Sequence, residues 1–377
     1  MQTHPIRDAF FALLRSGLWG EAVDPTLFHN FTEADWRQIY RLAATQALLA
    51  LVYDGVSTLP PELHPPRTLL LQWAAQTVRV EQANRQLDQM VARLCKLYTD
   101  AGLRPVLLKG QGIATYYRNP RHRQCGDIDV YIGREGQMQA NRLLQQAGAM
   151  ATAEASSKHA SYELDGVHVE NHRLIATLNN PLASRRFRRL VQEWYPDGAG
   201  HEFLMPTPPV QFNAVYIFVH AFQHFLGSGI GLRQVCDWAC LLRTCHNDID
   251  GSLLVRQLRS LGMLRAARAF AYIAVSRLGL PPANLPFRVD DMEELGEALL
   301  EEVLATGNFG QYDARISPRP AGYWAGKWHT FVRALRRCRQ LQGYAPLEAW
   351  CYPLMLAGRS ARVQEKRLLH YLGFIRE

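Results

Sequence analysis

The 377-residue chain predicts an α+β protein in which a small α/β unit lies between two longer helical regions. Three observations carry this reading. Apolar residues recur at helical spacing through residues 6 to 100. Near residue 105 the period shifts to short apolar runs bounded by proline and glycine, and from about residue 176 helical spacing returns.

In order along the chain, "LDQMVARLCKLYTDAG" sets Leu87, Met90, Val91, Leu94 and Leu97 on one helical face, with Gly102 as the stop. "PVLLKG" predicts a strand over 105–109, "GIATYY" a short helix, and "DIDVYIG" a second strand. "REGQMQANRLLQQAG" resumes helical spacing through Met138, Leu143 and Leu144. "HASYELDGVHVENH" predicts two strands joined by Asp165-Gly166, a two-residue hairpin signal. Beyond it, "VQFNAVYIFVHAFQHF", "GLRQVCDWACLLRTC", "LLVRQLRSLGMLRAARAFAYIAVSRLG" and "MEELGEALLEEVLATG" predict helices. "PFRVDD" and "SPRPAGYWAG" predict connections. The expected divisions are a helical region over 1–100, an α/β core over 101–175, a helical partner over 176–310 and basic amphipathic helices over 311–377.

Composition narrows the class. Hydrophobic residues make up 48% and charged residues 20%, which excludes disorder as the main state. Lys and Arg number 42 against 34 Asp and Glu, a net charge of +8 that mildly favours nucleotides, polyanions or an anionic surface as partners. Seven scattered cysteines fit reduced thiols and a cytoplasmic setting better than a disulfide framework. The apolar stretches fall short of the about 20 residues a transmembrane helix needs.

The chemistry concentrates at Asp127 and Asp129. Alternate residues of a strand share a face, so the two carboxylates stand together while Ile128 and Val130 point into a core. Like charges held close repel unless a cation joins them, and hard carboxylate oxygens suit Mg²⁺. A solvated strand end can also read Asp-x-Asp. Against that stands a third acid: alternation in "GVHVENH" puts His168, Glu170 and His172 on one face. If that strand neighbours the first, Glu170 completes a three-carboxylate site for two Mg²⁺ ions. Lys109-Gly110-Gln111-Gly112 marks a strand-to-helix turn where glycine lets backbone N–H groups approach a phosphate. It is not a Walker motif.

"LLKGQGIATYY…P…R…GDIDVYI" followed by "HVENH" resembles the nucleotidyltransferase superfamily, and is most similar to its family of uncharacterised bacterial nucleotidyltransferases, over about residues 40 to 300. The resemblance implies a nucleotidyltransferase-type mixed sheet like the DNA polymerase β palm. It implies an NTP as substrate, Asp127, Asp129 and Glu170 as metal ligands and catalytic acids, and Gly110 at the nucleotide turn. Lys109, Gln111 and Arg123 then count among the nucleotide contacts, with Arg123 in the place of the family's arginine. Gln111 stands where the superfamily usually has serine or a second glycine, and "ENH" stands where relatives more often show "dlHW"-like text.

The expected function is therefore Mg²⁺-dependent transfer of a nucleoside monophosphate from an NTP to a hydroxyl acceptor, with release of pyrophosphate. RNA, a protein hydroxyl and a small molecule all remain open as acceptors. The alternative is a catalytically degenerate nucleotide- or nucleic-acid-binding scaffold, a component of a toxin–antitoxin pair or of a biosynthetic cluster. His168, His172, His220, His224, Arg233 and Asp237 are candidate contacts to acceptor or base, with Arg233 and Asp237 expected to pair along one helix. Cys236, Cys240, Cys245 and His246 lack zinc-knuckle spacing and predict buried thiols. "RRFRRL" supplies Arg185, Arg186, Arg188 and Arg189 in an acid-free stretch, read as a solvated face with a polyphosphate or nucleic-acid contact as the alternative. "WAGKWHTFVRALRRCRQLQ" is basic and amphipathic. Its aromatics Trp324, Trp328 and Phe331 are expected to pack inward, with an anionic surface as the alternative partner.

Overall fold

The computed structural model describes residues 5–152, 158–195, 204–313, 315 and 320–356. Four helices open the chain: α1 (Pro5–Trp19), α2 (Glu33–Thr45), α3 (Leu49–Val56) and the long α4 (Arg67–Asp100). Thr32 and Asp35 form a reciprocal capping box at the start of α2. At the end of α4, Gly102 takes a φ of +76° and turns the chain, as expected.

The α/β unit follows: β1 (Val106–Leu107), the single turn α5 (Gln111–Ala114), β2 (Asp127–Tyr131), α6 (Gly133–Gln146), β3 (Met150–Ala151), β4 (His159–Leu164) and β5 (Val167–His172). These strands form one mixed sheet in the order β1-β2-β5-β4-β3. Only β2 and β5 run parallel. The β4–β5 turn is the expected two-residue hairpin, with positive φ at both Asp165 and Gly166, which matches the twist of the flanking strands. β1 and α5 are shorter than the sequence suggests, and β3 carries too little apolar pattern to have been anticipated.

The sheet separates two cores. Ile128, Val130 and Val169 pack on Leu87, Val91 and Leu94 of α4 and on Ala140 and Leu144 of α6. Met138, expected on the inner face of α6, is exposed instead. The opposite face of the sheet looks toward α8 (Val210–Gly227) and α9 (Leu232–Cys245), which follow α7 (Pro181–Gln192). Helices α10 (Gly251–Ser260), α11 (Leu264–Ser276) and α12 (Glu293–Thr306) complete the larger core. That core also takes in Phe10, Leu13, Leu51 and Val52 from the N-terminal helices. The two helical regions thus share one apolar interior. Trp19 Nε1 donates to the Leu278 carbonyl, and the Gln46 side chain donates to the Val303 carbonyl and accepts from Leu232 N, fastening the N-terminal helices to the later ones.

The last helices among the described residues are α13 (Tyr323–Leu341) and a helical segment over 346–356. The expectation that the tryptophans of α13 pack inward is corrected: Trp324 and Trp328 are 72% and 67% exposed. The inner stripe is Ala334, Cys338 and Leu341 instead. Arg337 fixes this rotation by pairing with Glu302 and donating to the Phe225 carbonyl. Part of the expected connection before α13, residues 317–319, lies outside the described residues, as does the tail beyond 356. Cys236, Cys240 and Cys245 are buried free thiols, and their burial raises all three pKa values. Among the described residues, no helix is long and apolar enough to cross a membrane.

Candidate active site

Parallel pairing of β2 with β5 sets Asp129 directly across from Glu170 and Asp127 across from His168. Because alternation sends Ile128, Val130 and Val169 into the α4–α6 core, the acids emerge on the other face, beneath α8 and α9. Carboxylate oxygens of Asp127, Asp129 and Glu170 all lie within 4.8 Å of one another.

The three acids differ in their surroundings. Asp129 is buried, and burial opposes its ionisation. The Lys109 ammonium 2.7 Å from Oδ2 and the His172 ring 2.8 Å from Oδ1 outweigh that and hold the carboxyl well below its usual range. Asp127 moves the other way: repulsion from Asp129, then burial, raises its pKa. Glu170 is ringed by imidazoles, with His172 and His159 each 3.1 Å from Oε2 and His168 3.5 Å from Oε1. Burial pushes its pKa up, but the hydrogen bond from His172 prevails and the net shift is downward.

Gly110 makes the turn that delivers Lys109. Its φ of +53° with ψ of −117° lies where side chains are rarely tolerated, and a Cβ there would sit 3.3 Å from the Asp127 carbonyl oxygen. Gln111 turns away from the acids, donating to Asp88 at 2.6 Å and to the Asn84 carbonyl at 3.3 Å.

Arg123 is not a free cation above the acids. Its guanidinium grips Asp237 bidentately, Nε to Oδ1 at 2.7 Å and Nη2 to Oδ2 at 2.8 Å, and the Tyr117 hydroxyl donates to the same carboxylate. The expected Arg233–Asp237 helix pair is therefore replaced by a pair between the loop before β2 and α9. Arg233 donates to the Gln124 carbonyl instead. Asn84 holds the other side of that loop through the carbonyls of Arg121 and Arg123.

A cavity of about 390 Å³ lies over the acids, bordered by Lys109, Asp127 and Glu170 on the sheet side. His220 and His224 of α8 and Arg233 and Asp237 of α9 border it from above. Burial first, then Lys109, depresses both histidines, His224 to about 4, so both are neutral near pH 7. Sequence reasoning missed several wall residues: His159, Tyr216, Gln223, Phe309 and Tyr352. Tyr352 is placed by Glu348 of the same helical segment, whose buried carboxylate accepts from the backbone N–H groups of Asn179 and Asn180 and from Gln223. Across the Ile175–Ala176 strand exit lies a second groove, bordered by Arg104, Arg134, Arg173, Arg185, Arg188 and Arg189.

The donor set suits a hard divalent ion: three clustered carboxylates, one of which shifts toward its neutral form because two like charges crowd it. A family of proteins described as "Uncharacterised nucleotidyltransferase" matches residues 32–279. No curated protein and no solved structure matches the chain.

Proposed function

Since the chain belongs to the uncharacterised nucleotidyltransferase family, we propose that Asp127, Asp129 and Glu170 hold Mg²⁺ and direct nucleotidyl transfer from an NTP to a hydroxyl acceptor. The convergence of the three carboxylates on one face of the β2–β5 pair is the observation that carries this reading. In the reaction the acceptor oxygen bonds to the α-phosphorus, the bond from that phosphorus to the α–β bridging oxygen breaks, and pyrophosphate leaves. The hydroxyl proton passes to a nearby carboxylate or to solvent. Bound Mg²⁺ supplies charge neutralisation for the polyphosphate and lowers the pKa of the attacking hydroxyl.

The chain's own residues do the positioning. The Gly110 turn lets backbone approach the phosphates, and Lys109, already directed at the acids, offsets charge on the departing pyrophosphate. Arg123 acts through Asp237: the pair braces the loop before β2 against α9 and so sets where Asp127 begins. Residues 101–175 supply the palm-like unit and 176–310 the helical partner that roofs the cavity. Phe309 and Tyr352, both outside the matched 32–279, add to its lining. Neutral His220 and His224 offer acceptor or base a polar, uncharged wall.

The test is to incubate the protein with Mg²⁺, α-labelled NTPs and a cell extract, then separate RNA, protein and small molecules. One fraction gains label with wild type, and none does with Asp127→Asn or Asp129→Asn of intact fold. Label that persists in both variants contradicts the assignment. A second reading, a nucleotide-binding scaffold without turnover, draws on the fact that Lys109 and His172 already neutralise Asp129. ATP and GTP titrations with and without Mg²⁺ separate the two, because the scaffold binds nucleotide without the metal.

A further inference from the structure

Beside the three-carboxylate cluster, two imidazole nitrogens converge on the same acids. We propose that His159, Glu170 and His172, with Oδ1 of Asp129, form a nitrogen–oxygen site for one divalent ion of the zinc class. This deepens the reading of the cavity as a nucleotidyl-transfer centre and rests on that reading for the use of the ion, though not for its binding.

The hairpin builds the site. Register across the β4–β5 turn pairs His159 with His172, and their rings meet edge-on with centroids 4.8 Å apart. The four donor atoms form a chain of short separations. His172 Nε2 lies 2.8 Å from Asp129 Oδ1 and 3.1 Å from Glu170 Oε2, and His159 Nδ1 lies 3.1 Å from that same Oε2. Ligands about 2.0–2.1 Å from a tetrahedral zinc stand about 3.3 Å from one another, so small movements outward would suffice.

The orientation of His172 is also that of a ligand. Its Nδ1 faces the Leu174 carbonyl oxygen at 3.4 Å, a contact that leaves Nε2 directed at the acids. Metal-binding histidines are held in this way, the far nitrogen donating to a carbonyl or carboxylate. A bound ion takes the place of the proton that Nε2 otherwise presents to Asp129 and Glu170. Lys109 approaches the other oxygen of Asp129, Oδ2, and so leaves the Oδ1 side to the histidines.

Donor chemistry decides the ion. Mg²⁺ prefers oxygen and retains several waters, whereas two imidazoles and a carboxylate make up a common catalytic zinc set. Asp127 contributes only to the oxygen set, and His159 and His172 only to the nitrogen set. The cavity thus has a hard side and a borderline side that share Glu170 and Asp129.

Co²⁺ is the probe, added to the full chain after chelator treatment. Wild type is expected to bind one equivalent with the strong visible absorption of tetrahedral Co²⁺. One equivalent of Zn²⁺ abolishes the band, and millimolar Mg²⁺ leaves it. His159→Gln weakens Co²⁺ binding by at least about 100-fold, the upper end of what loss of even an outer-shell partner does. Asp127→Asn keeps the band although it ends nucleotidyl transfer. Weak octahedral spectra, displacement by Mg²⁺, or indifference to His159→Gln would overturn the proposal. Should His159→Gln fail to fold, the Mg²⁺ competition on wild type decides alone. A retained Co²⁺ band without any turnover refutes the transferase reading and leaves the metal site standing. Mg²⁺-dependent turnover without the band does the reverse.

Discussion

Asp237→Asn removes one charge and keeps the shape of the side chain. Asp237 accepts three hydrogen bonds, two from Arg123 and one from Tyr117, and both members of the ion pair are buried. The substitution leaves the guanidinium without its counter-charge in a site that water barely reaches. Breaking a buried pair from one side costs about 3–5 kcal/mol, a large share of the about 5–15 kcal/mol that a domain has. With an m-value near 3 kcal/mol/M, the urea midpoint falls by about 1–1.7 M. The double variant Arg123→Leu/Asp237→Leu removes both charges, and its midpoint should recover most of the loss because neither charge remains stranded. Urea unfolding followed by tryptophan fluorescence and circular dichroism measures both variants and Arg123→Leu alone. Additive losses, or a loss under about 1 kcal/mol for Asp237→Asn, would refute the bracing role. Intact stability joined to lost NTP binding would return Arg123 to the phosphates.

Gly110→Ala places a Cβ at φ +53° and 3.3 Å from the Asp127 carbonyl oxygen. Strain of this kind costs about 1–3 kcal/mol, so thermal unfolding should shift down and NTP binding should weaken together; an unchanged melting temperature contradicts the turn geometry. His122 lies between Asp54 at 2.8 Å and Glu81 at 2.9 Å. Burial opposes its charge, but those two acids prevail and raise its pKa above 6.5. A raised folded-state pKa means that its stabilisation is fully present below the unfolded value near 6.5 and fades as pH rises through the folded value. Wild type should therefore lose more stability between pH 6 and pH 9 than His122→Gln does, and parallel pH profiles would argue against the clamp. Glu348→Leu removes the acceptor for Asn179 N, Asn180 N and Gln223. Leaving those donors buried costs about 1–3 kcal/mol each, which should free the 346–356 helix to proteolysis; protection equal to wild type would contradict its docking through Glu348.

The local geometry of the site was legible in the sequence because strand alternation is a short-range rule. It set Asp127 beside Asp129, and Asp165-Gly166 marked the hairpin that carries Glu170. His159 was within reach of the same reasoning, since counting outward from a two-residue turn places it opposite His172. The partners of Arg123 and Gln111 were not legible. Arg123 meets Asp237 across 114 residues, and a buried bidentate pair prevails over the one-turn Arg233–Asp237 contact that helical spacing suggests. Gln111 is drawn to Asp88, which nothing in the turn itself announces. Phe309 and Tyr352 reach the cavity only through the packing of helices distant in sequence. The rotation of α13 was misjudged because aromatic residues signal burial by type, whereas Arg337 and its partners Glu302 and Phe225 set which face turns inward.

The central claim is that the three carboxylates direct transfer of the α-phosphoryl group. Paired reactions with α-labelled and γ-labelled NTP and Mg²⁺ address it most directly, with the acceptor-bearing fraction as the second substrate. The account predicts α-label in the product, γ-label only in pyrophosphate, and neither outcome with folded Asp127→Asn/Asp129→Asn. Transfer of the γ-label, or undiminished α-label in the double variant, would contradict it.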